Sequence, residues 1–149
     1  MREILFRGKR KDNGEWIEGF LTICDDRCFI IENGKVGCLC FDTLPKGNYV
    51  FMAYIEVDPD TIGQFTGLTD KNGKRIFEGD ICRVCLDPEI CIAHIQYDER
   101  TASFNMRYDD YLCNTFLDMR LAENRVGDRV WIEVIGNIHD NPELLGGGG

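Results

Sequence analysis

The sequence predicts a mainly β protein with little helix, arranged as two lobes. Three observations lead there. Short runs rich in Val, Ile, Phe, Tyr and Trp recur along the chain, polar pairs suited to tight turns separate them, and one segment alone shows helical spacing. With 149 residues, 44% of them hydrophobic, the chain can bury one sizeable core or two small ones, and no biased segment marks it as disordered.

In chain order, Ile4 and Phe6 share one parity and lead through a polar link to Trp16–Leu21. The pair Asn13-Gly14, which tolerates positive φ, makes this a β-hairpin. The runs Cys28–Glu32 and Lys35–Phe41 flank Asn33-Gly34, and the spacing predicts a second hairpin there. Tyr49–Ile55 is a strand, after which Asp58-Pro59-Asp60 breaks the pattern. That break divides the chain into an N-terminal β lobe, residues 1–58, a C-terminal lobe, residues 59–145, and a flexible glycine tail, residues 146–149. Ile62–Asp80 holds a third hairpin around Asp70-Lys71-Asn72-Gly73, and Asn72–Gly79 echoes the turn chemistry of Asn13–Gly19. Further strands are expected at Asp80–Leu86, Ile90–Tyr97, Phe104–Tyr108 and Val130–Ile138, with a turn at Asp87-Pro88-Glu89. Leu112, Phe116 and Met119 are spaced for a helix over 109–123, and Asn141-Pro142 is suited to open a short terminal helix.

Charge limits the chemistry. There are 17 Lys and Arg against 26 Asp and Glu, a formal charge of −9 that opposes the phosphate neutralisation on which nucleic-acid binding depends. Arg7–Lys11, beside Trp16, is a local exception, read first as a solvated charge run. The N-terminus lacks the apolar core of a secretory signal, and no stretch approaches the ~18 apolar residues of a membrane span. A cytoplasmic protein that makes no membrane contact is therefore expected, its eight cysteines present as thiols.

Cys82-x-x-Cys85 and Cys91-x-x-His94 have ligand types and pair spacings suited to tetrahedral zinc. The link between the pairs is short, however, and on a regular strand Cys82 and Cys85 face opposite sides, so cysteine as a small core residue is the first reading and a structural zinc site the second. His94 and His139 lie in no catalytic motif, and His139 reads as an exposed loop residue. The carboxylate pairs Asp58/Asp60, Glu78/Asp80 and Asp109/Asp110 lie near turns, where such groups are solvated or capping. No glycine segment has a phosphate-cradling pattern, so no cofactor and no enzymatic activity are expected.

Three blocks, REILFRGKRKDNGEWIEGFL at 2–21, TIGQFTGLTDKNGKRIFEGDI at 61–81 and VIGNIHDNPELL at 134–145, resemble the YopX protein family of bacteriophages and prophages. The resemblance implies a mainly β fold with an N-terminal β lobe and a small SH3-like barrel towards the C-terminus. It places a family motif on Gln64, Thr66, Gly67, Asp70, Gly73, Glu78, Gly79 and Asp80, then on Gly136, Asn137, Asn141 and Pro142, with no catalytic role attached. Cys82 stands where the family often carries an aliphatic residue, which weakens the zinc reading. The expectation is an accessory protein of unknown molecular function that acts by binding as a homo-oligomer, with a basic protein as the partner suited to its charge. Two alternatives stand beside it. One is a single-stranded nucleic-acid binder using Trp16, Phe65 or Tyr97 with Arg7–Lys11; the other is a structural zinc protein.

Overall fold

Turn chemistry sets the strand boundaries, so the strands follow the sequence pattern closely. A computed structural model describes residues 1–39, 49–108, 114–116 and 129–146. They form strands β1 (Phe6–Lys9), β2 (Trp16–Cys24), β3 (Arg27–Leu39), β4 (Tyr49–Val57), β5 (Gly63–Thr69), β6 (Arg75–Phe77), β7 (Asp80–Leu86), β8 (Ile90–Asp98), β9 (Ser103–Tyr108), β10 (Asn114–Phe116) and β11 (Val130–Asn137). The chain divides into two units, Ile4–Ile62 and Gly63–Gly149, the second including Met1–Glu3.

In the first unit β1, β2, β3 and β4 lie side by side in an antiparallel sheet. The β1–β2 turn is the expected one: Gly14 takes φ 73° and its N–H donates to the Arg10 carbonyl at 2.9 Å. The next hairpin is not where the sequence placed it. β3 runs through Asn33-Gly34 as one strand, and its pairing with β4 resumes after a register shift between Ile31 and Val36. The backbone tolerance that suits Asn-Gly to a hairpin suits it equally to a bulge. The reversal instead falls at Asp25-Asp26, between the partners Cys24 and Arg27, with Asp25 at φ 53°. Asp reaches this left-handed region because its short side chain can bond locally.

One face of this sheet carries the unit's core, Ile17, Cys28, Ile30 and Val57, with Leu21, Ile55 and Ile62 packed against it. The sheet curls, so that the residues after β1 meet the end of β4: Lys11 N donates to Glu56 O at 3.1 Å and Asp58 N to Lys9 O at 2.8 Å. Residues 59–62 stay with this unit, which moves the division from residue 58 to residue 62. Pro59–Thr61 form a 3-10 turn in which the Asp58 carboxylate accepts from Asp60 N at 3.0 Å, while Lys9 N donates to Thr61 Oγ1 at 2.9 Å.

The second unit joins the β5–β6 hairpin to a five-stranded antiparallel sheet in the order β10-β9-β8-β7-β11. Its core is Ile76, Cys82, Val84, Ala93, Ile95, Met106, Tyr108 and Ile132. The pairings among the described residues leave this sheet open at β10 and β11. The mainly β class therefore holds, and the described strands make no closed barrel. Within the segment read as a helix, Asn114–Phe116 pairs as a strand with Asn105–Arg107; the rest of 109–123 lies outside the described residues, as do 40–48 and the last three glycines. The terminal helix is one 3-10 turn, Pro142–Leu144.

Gly19 has no room for a side chain, because a Cβ there would overlap the Ile31 carbonyl oxygen. Gly14 has open space around it. Gly19→Ala is expected to lower stability by about 1–3 kcal/mol, and Gly14→Ala by about 1 kcal/mol through its left-handed backbone alone. Urea denaturation midpoints check the ranking, and an equal or smaller loss for Gly19→Ala contradicts it.

Candidate functional site

The family-motif residues meet in the second unit, and their polar atoms bind the chain's own backbone. Asp70 is buried in the β5–β6 turn. Its Oδ1 accepts from Asn72 N at 2.8 Å and Lys74 N at 2.9 Å, closing the turn that Gly73 completes at φ 80°. Its Oδ2 accepts from Val134 N on β11 at 3.0 Å, and next to it Lys71 N donates to Ile132 O at 2.9 Å. One carboxylate thus receives three backbone amides and fastens the hairpin to the sheet edge. Within β5, Gly67 takes φ 89° where pairing with β6 shifts between Phe65 and Thr69. Thr66 bridges the irregularity: its hydroxyl donates to Ile76 O at 2.8 Å and accepts from Leu68 N at 3.2 Å.

The remaining motif positions act on the next turn. Glu78 N donates to Gln64 O at 2.9 Å, Gly79 takes φ 86°, and the fully buried Asp80 accepts from Phe77 N at 2.8 Å. Gly136 and Asn137 are the ladder partners of Ile81 and Asp80, so the second and third sequence blocks lie side by side. A Cβ at Gly136 would come 2.6 Å from Asn141 Oδ1. The Asn137 side-chain oxygen accepts from His139 N at 3.0 Å and Asp140 N at 2.9 Å. Asp-x-Asn-Gly in the sequence pointed to the local half of the Asp70 arrangement. Nothing in it pointed to Val134, 64 residues away.

The zinc constellation does not assemble. Cys82 is the ladder partner of Ala93, and Cys91 of Val84, which puts both on the core face of the β7–β8 pair. Cys85, opposite Ile90, and His94, opposite Ile81, project from the other face. β7 stays regular between Cys82 and Cys85, so alternation separates the ligands. Among the described residues no three His, Cys, Asp or Glu side chains are grouped to hold a metal. Cys24, Cys28, Cys85 and Cys91 carry unbridged thiols. His139 is half-buried in its turn rather than exposed. Phe65, read as an exposed stacking residue, is buried against Phe77 with ring centroids 5.5 Å apart. Tyr97 is exposed, with its ring centroid 5.3 Å from that of Phe104 in an edge-on contact.

Among the described residues, two outward sheet faces keep unspent apolar character. On the first unit, Phe20 on β2, Ile31 on β3 and Tyr54 on β4 are successive ladder partners, and Phe20 and Tyr54 are 52% and 56% exposed. Arg7 and Lys9 lie 4.9 Å and 5.5 Å from the Trp16 ring, and Arg27 lies 5.0 Å from Phe29. A groove of about 400 Å³ beside this face is lined by Arg10, Lys11, Asp12, Tyr54, Ile55 and Glu56. Glu56 accepts from Arg27 at 2.6 Å and Lys11 at 3.0 Å, and these two cations hold its carboxyl down to a pKa of about 2.

On the second unit the outward rows are Trp131, Cys85, Ile90 and Glu133, Arg83, Ile92. Ile90 is 59% and Ile92 37% exposed. Lys71 Nζ lies 3.9 Å from the Trp131 ring and 3.2 Å from Glu133, whose carboxylate is also 3.6 Å from Arg83.

A family model described as YopX protein matches residues 5–146. The crystal structure of protein EF1440 from Enterococcus faecalis is similar to this one, with a TM-score of 0.59 and 27% sequence identity over 97% of this chain and 99% of that one. No curated protein matches the chain.

Asp70→Ala leaves three amides without their acceptor and is expected to cost roughly 3 kcal/mol, well above the approximately 1 kcal/mol for Asp58→Ala, which removes one exposed cap. Denaturant titration of both variants measures this, and equal losses contradict it. For Glu56 the folded pKa lies below the ordinary 4.5, so its stabilisation is present above that value and fades as pH falls towards 2. An NMR titration that finds the Glu56 carboxyl near 4.5 contradicts the pairing.

Proposed function

The chain belongs to the YopX protein family, and from that premise we propose a phage or prophage accessory protein that acts by binding, without catalysis, as a homo-oligomer in the bacterial cytoplasm. The fate of the motif supports a non-catalytic reading. Asp70, Thr66 and Asn137 direct their side-chain oxygens to backbone amides of their own unit, which leaves those groups holding structure rather than facing a substrate. The five-stranded sheet, with its bulge between Val134 and Gly136, is read as an SH3-like lobe, the finer architecture that the family resemblance implies.

The observation that carries the binding reading is the apolar outward face of that sheet, where Trp131, Cys85 and Ile90 form one row and Ile92 stands next to it. A second copy is the occupant that suits it. Residues 1–3 and 63–149 hold ten Lys and Arg against sixteen Asp and Glu, so two copies repel over most of their surface. This face is the exception, with Lys71 and Arg83 beside the single carboxylate of Glu133. A two-fold contact there sets Arg83 of one copy near Glu133 of the other, and the apolar rows exclude water between them. The acidic remainder of the surface then draws a basic protein partner.

Sedimentation tests the self-association. The expected mass exceeds the 17.1 kDa of one chain, and the association strengthens from about 50 mM to about 500 mM salt as screening removes the repulsion. Ile90→Glu is expected to restore the single-chain mass with an unchanged circular dichroism spectrum. A single-chain mass for the unsubstituted protein at both salt concentrations sinks the proposal.

A further inference from the structure

The geometry points to a second binding surface, on the other unit: the outward face of the β1–β4 sheet is a stacking platform for single-stranded nucleic acid. Two of its aromatic residues, Phe20 and Tyr54, are exposed, and Trp16 and Phe29 are half-buried. Trp16, Phe20, Phe29 and Tyr54 share the parity opposite to the core residues Ile17, Leu21, Ile30 and Ile55, so the alternation that buries one set turns the other outward. Phe20 and Tyr54 flank Ile31 across three adjacent strands, and Trp16 lies four residues along β2 from Phe20, a separation of about 13 Å. Aromatic faces at such intervals can take unpaired bases that are not adjacent in the strand, and stacking of this kind is tolerant of sequence because every base has a π face.

Charge on this face matches that occupant although the whole chain is acidic. Residues 4–62 contain seven Lys and Arg and ten Asp and Glu, but the cations are concentrated on this face, where Asp12, Glu18 and Glu56 are the carboxylates among them. Five of the cations, Arg7, Lys9, Arg10, Lys11 and Arg27, lie on this face or along its groove. Arg7 and Lys9 stand over the Trp16 ring, so that ring positions two cations at the edge of the platform and leaves the stacking to Phe20 and Tyr54. Lys11 and Arg27 are paired to Glu56, and Arg10 to Asp12, in solvent-accessible contacts. Engaging these cations exchanges a carboxylate partner for a phosphate. The distant acidic residues are screened beyond about 10 Å at 0.1 M salt, which leaves the charges of the face itself, five cations against Asp12, Glu18 and Glu56, to set the approach. Stacking and phosphate contacts carry little base discrimination, and binding without sequence preference follows. Tyr97 and Phe65, in the other unit, have no part in it.

Fluorescence anisotropy of labelled oligo-dT, oligo-U and a duplex of the same length, titrated with the full chain at about 20 mM and 200 mM salt, tests this. Binding of a single strand at the lower salt is expected, falling at the higher salt, with the duplex held more weakly. The two single strands decide between DNA and RNA. Phe20→Ala and Tyr54→Ala, at exposed positions, are each expected to weaken binding roughly 5- to 100-fold, while Tyr97→Ala, at an exposed position on the other unit, leaves it unchanged. Absence of single-strand binding at low salt overturns the proposal, as does equal affinity for the duplex or affinity unaltered in Phe20→Ala. Loss of a co-purifying protein in Phe20→Ala, with no oligonucleotide bound by either form, assigns the face to a protein and also overturns it.

Discussion

The carboxylate of Asp70 is the interaction on which the second unit's arrangement depends. A hairpin of seven and three residues has too little buried surface to hold its own position. Asp70 provides the anchor by receiving two amides of its own turn and one from β11. Because one oxygen is committed to the turn and the other to β11, loosening the turn and releasing the sheet edge become the same event. Lys71 reinforces the joint with its backbone bond to Ile132 and its side chain across Trp131 and Glu133. The apolar outward face borders this joint, so the motif shapes a surface.

The bonding gives the Gly, Asp and Asn positions of the motif a structural account. Gly67, Gly73 and Gly79 adopt left-handed backbone that other residues enter at a cost, and Gly136 leaves room for Asn141. Asp80 and Asn137 then satisfy amides exposed by the turns those glycines create. Such a set is bound together because losing one member strands the partners of the others in a dry interior.

Strand identity was legible because alternation and turn chemistry agreed. Tyr49–Ile55, Asp80–Leu86 and Ile90–Tyr97 all lie within observed strands. The misplaced hairpin at Asn33-Gly34 shows where such reading stops: the pair reports backbone tolerance, and only the neighbouring strands decide whether that tolerance makes a reversal or a bulge. Asp25-Asp26 was overlooked since Asp carries a weaker preference for positive φ than Gly. Alternation correctly separated Cys82 from Cys85, yet Phe65 was read as exposed because its partner Phe77 comes from a different strand. The long-range bond to Val134 was invisible for the same reason: sequence spacing carries local geometry, and register between distant strands is a property of the whole sheet.

Amide hydrogen exchange at Val134 addresses the central claim most directly. In the unsubstituted chain its N–H is bonded to Asp70 and is predicted to exchange slowly; in Asp70→Ala it is predicted to exchange fast, together with Lys74, while amides in the β7–β8 ladder remain protected. Protection at Val134 that survives the substitution, or protection lost uniformly across the unit, contradicts the assignment of that carboxylate as the fastening between turn and sheet.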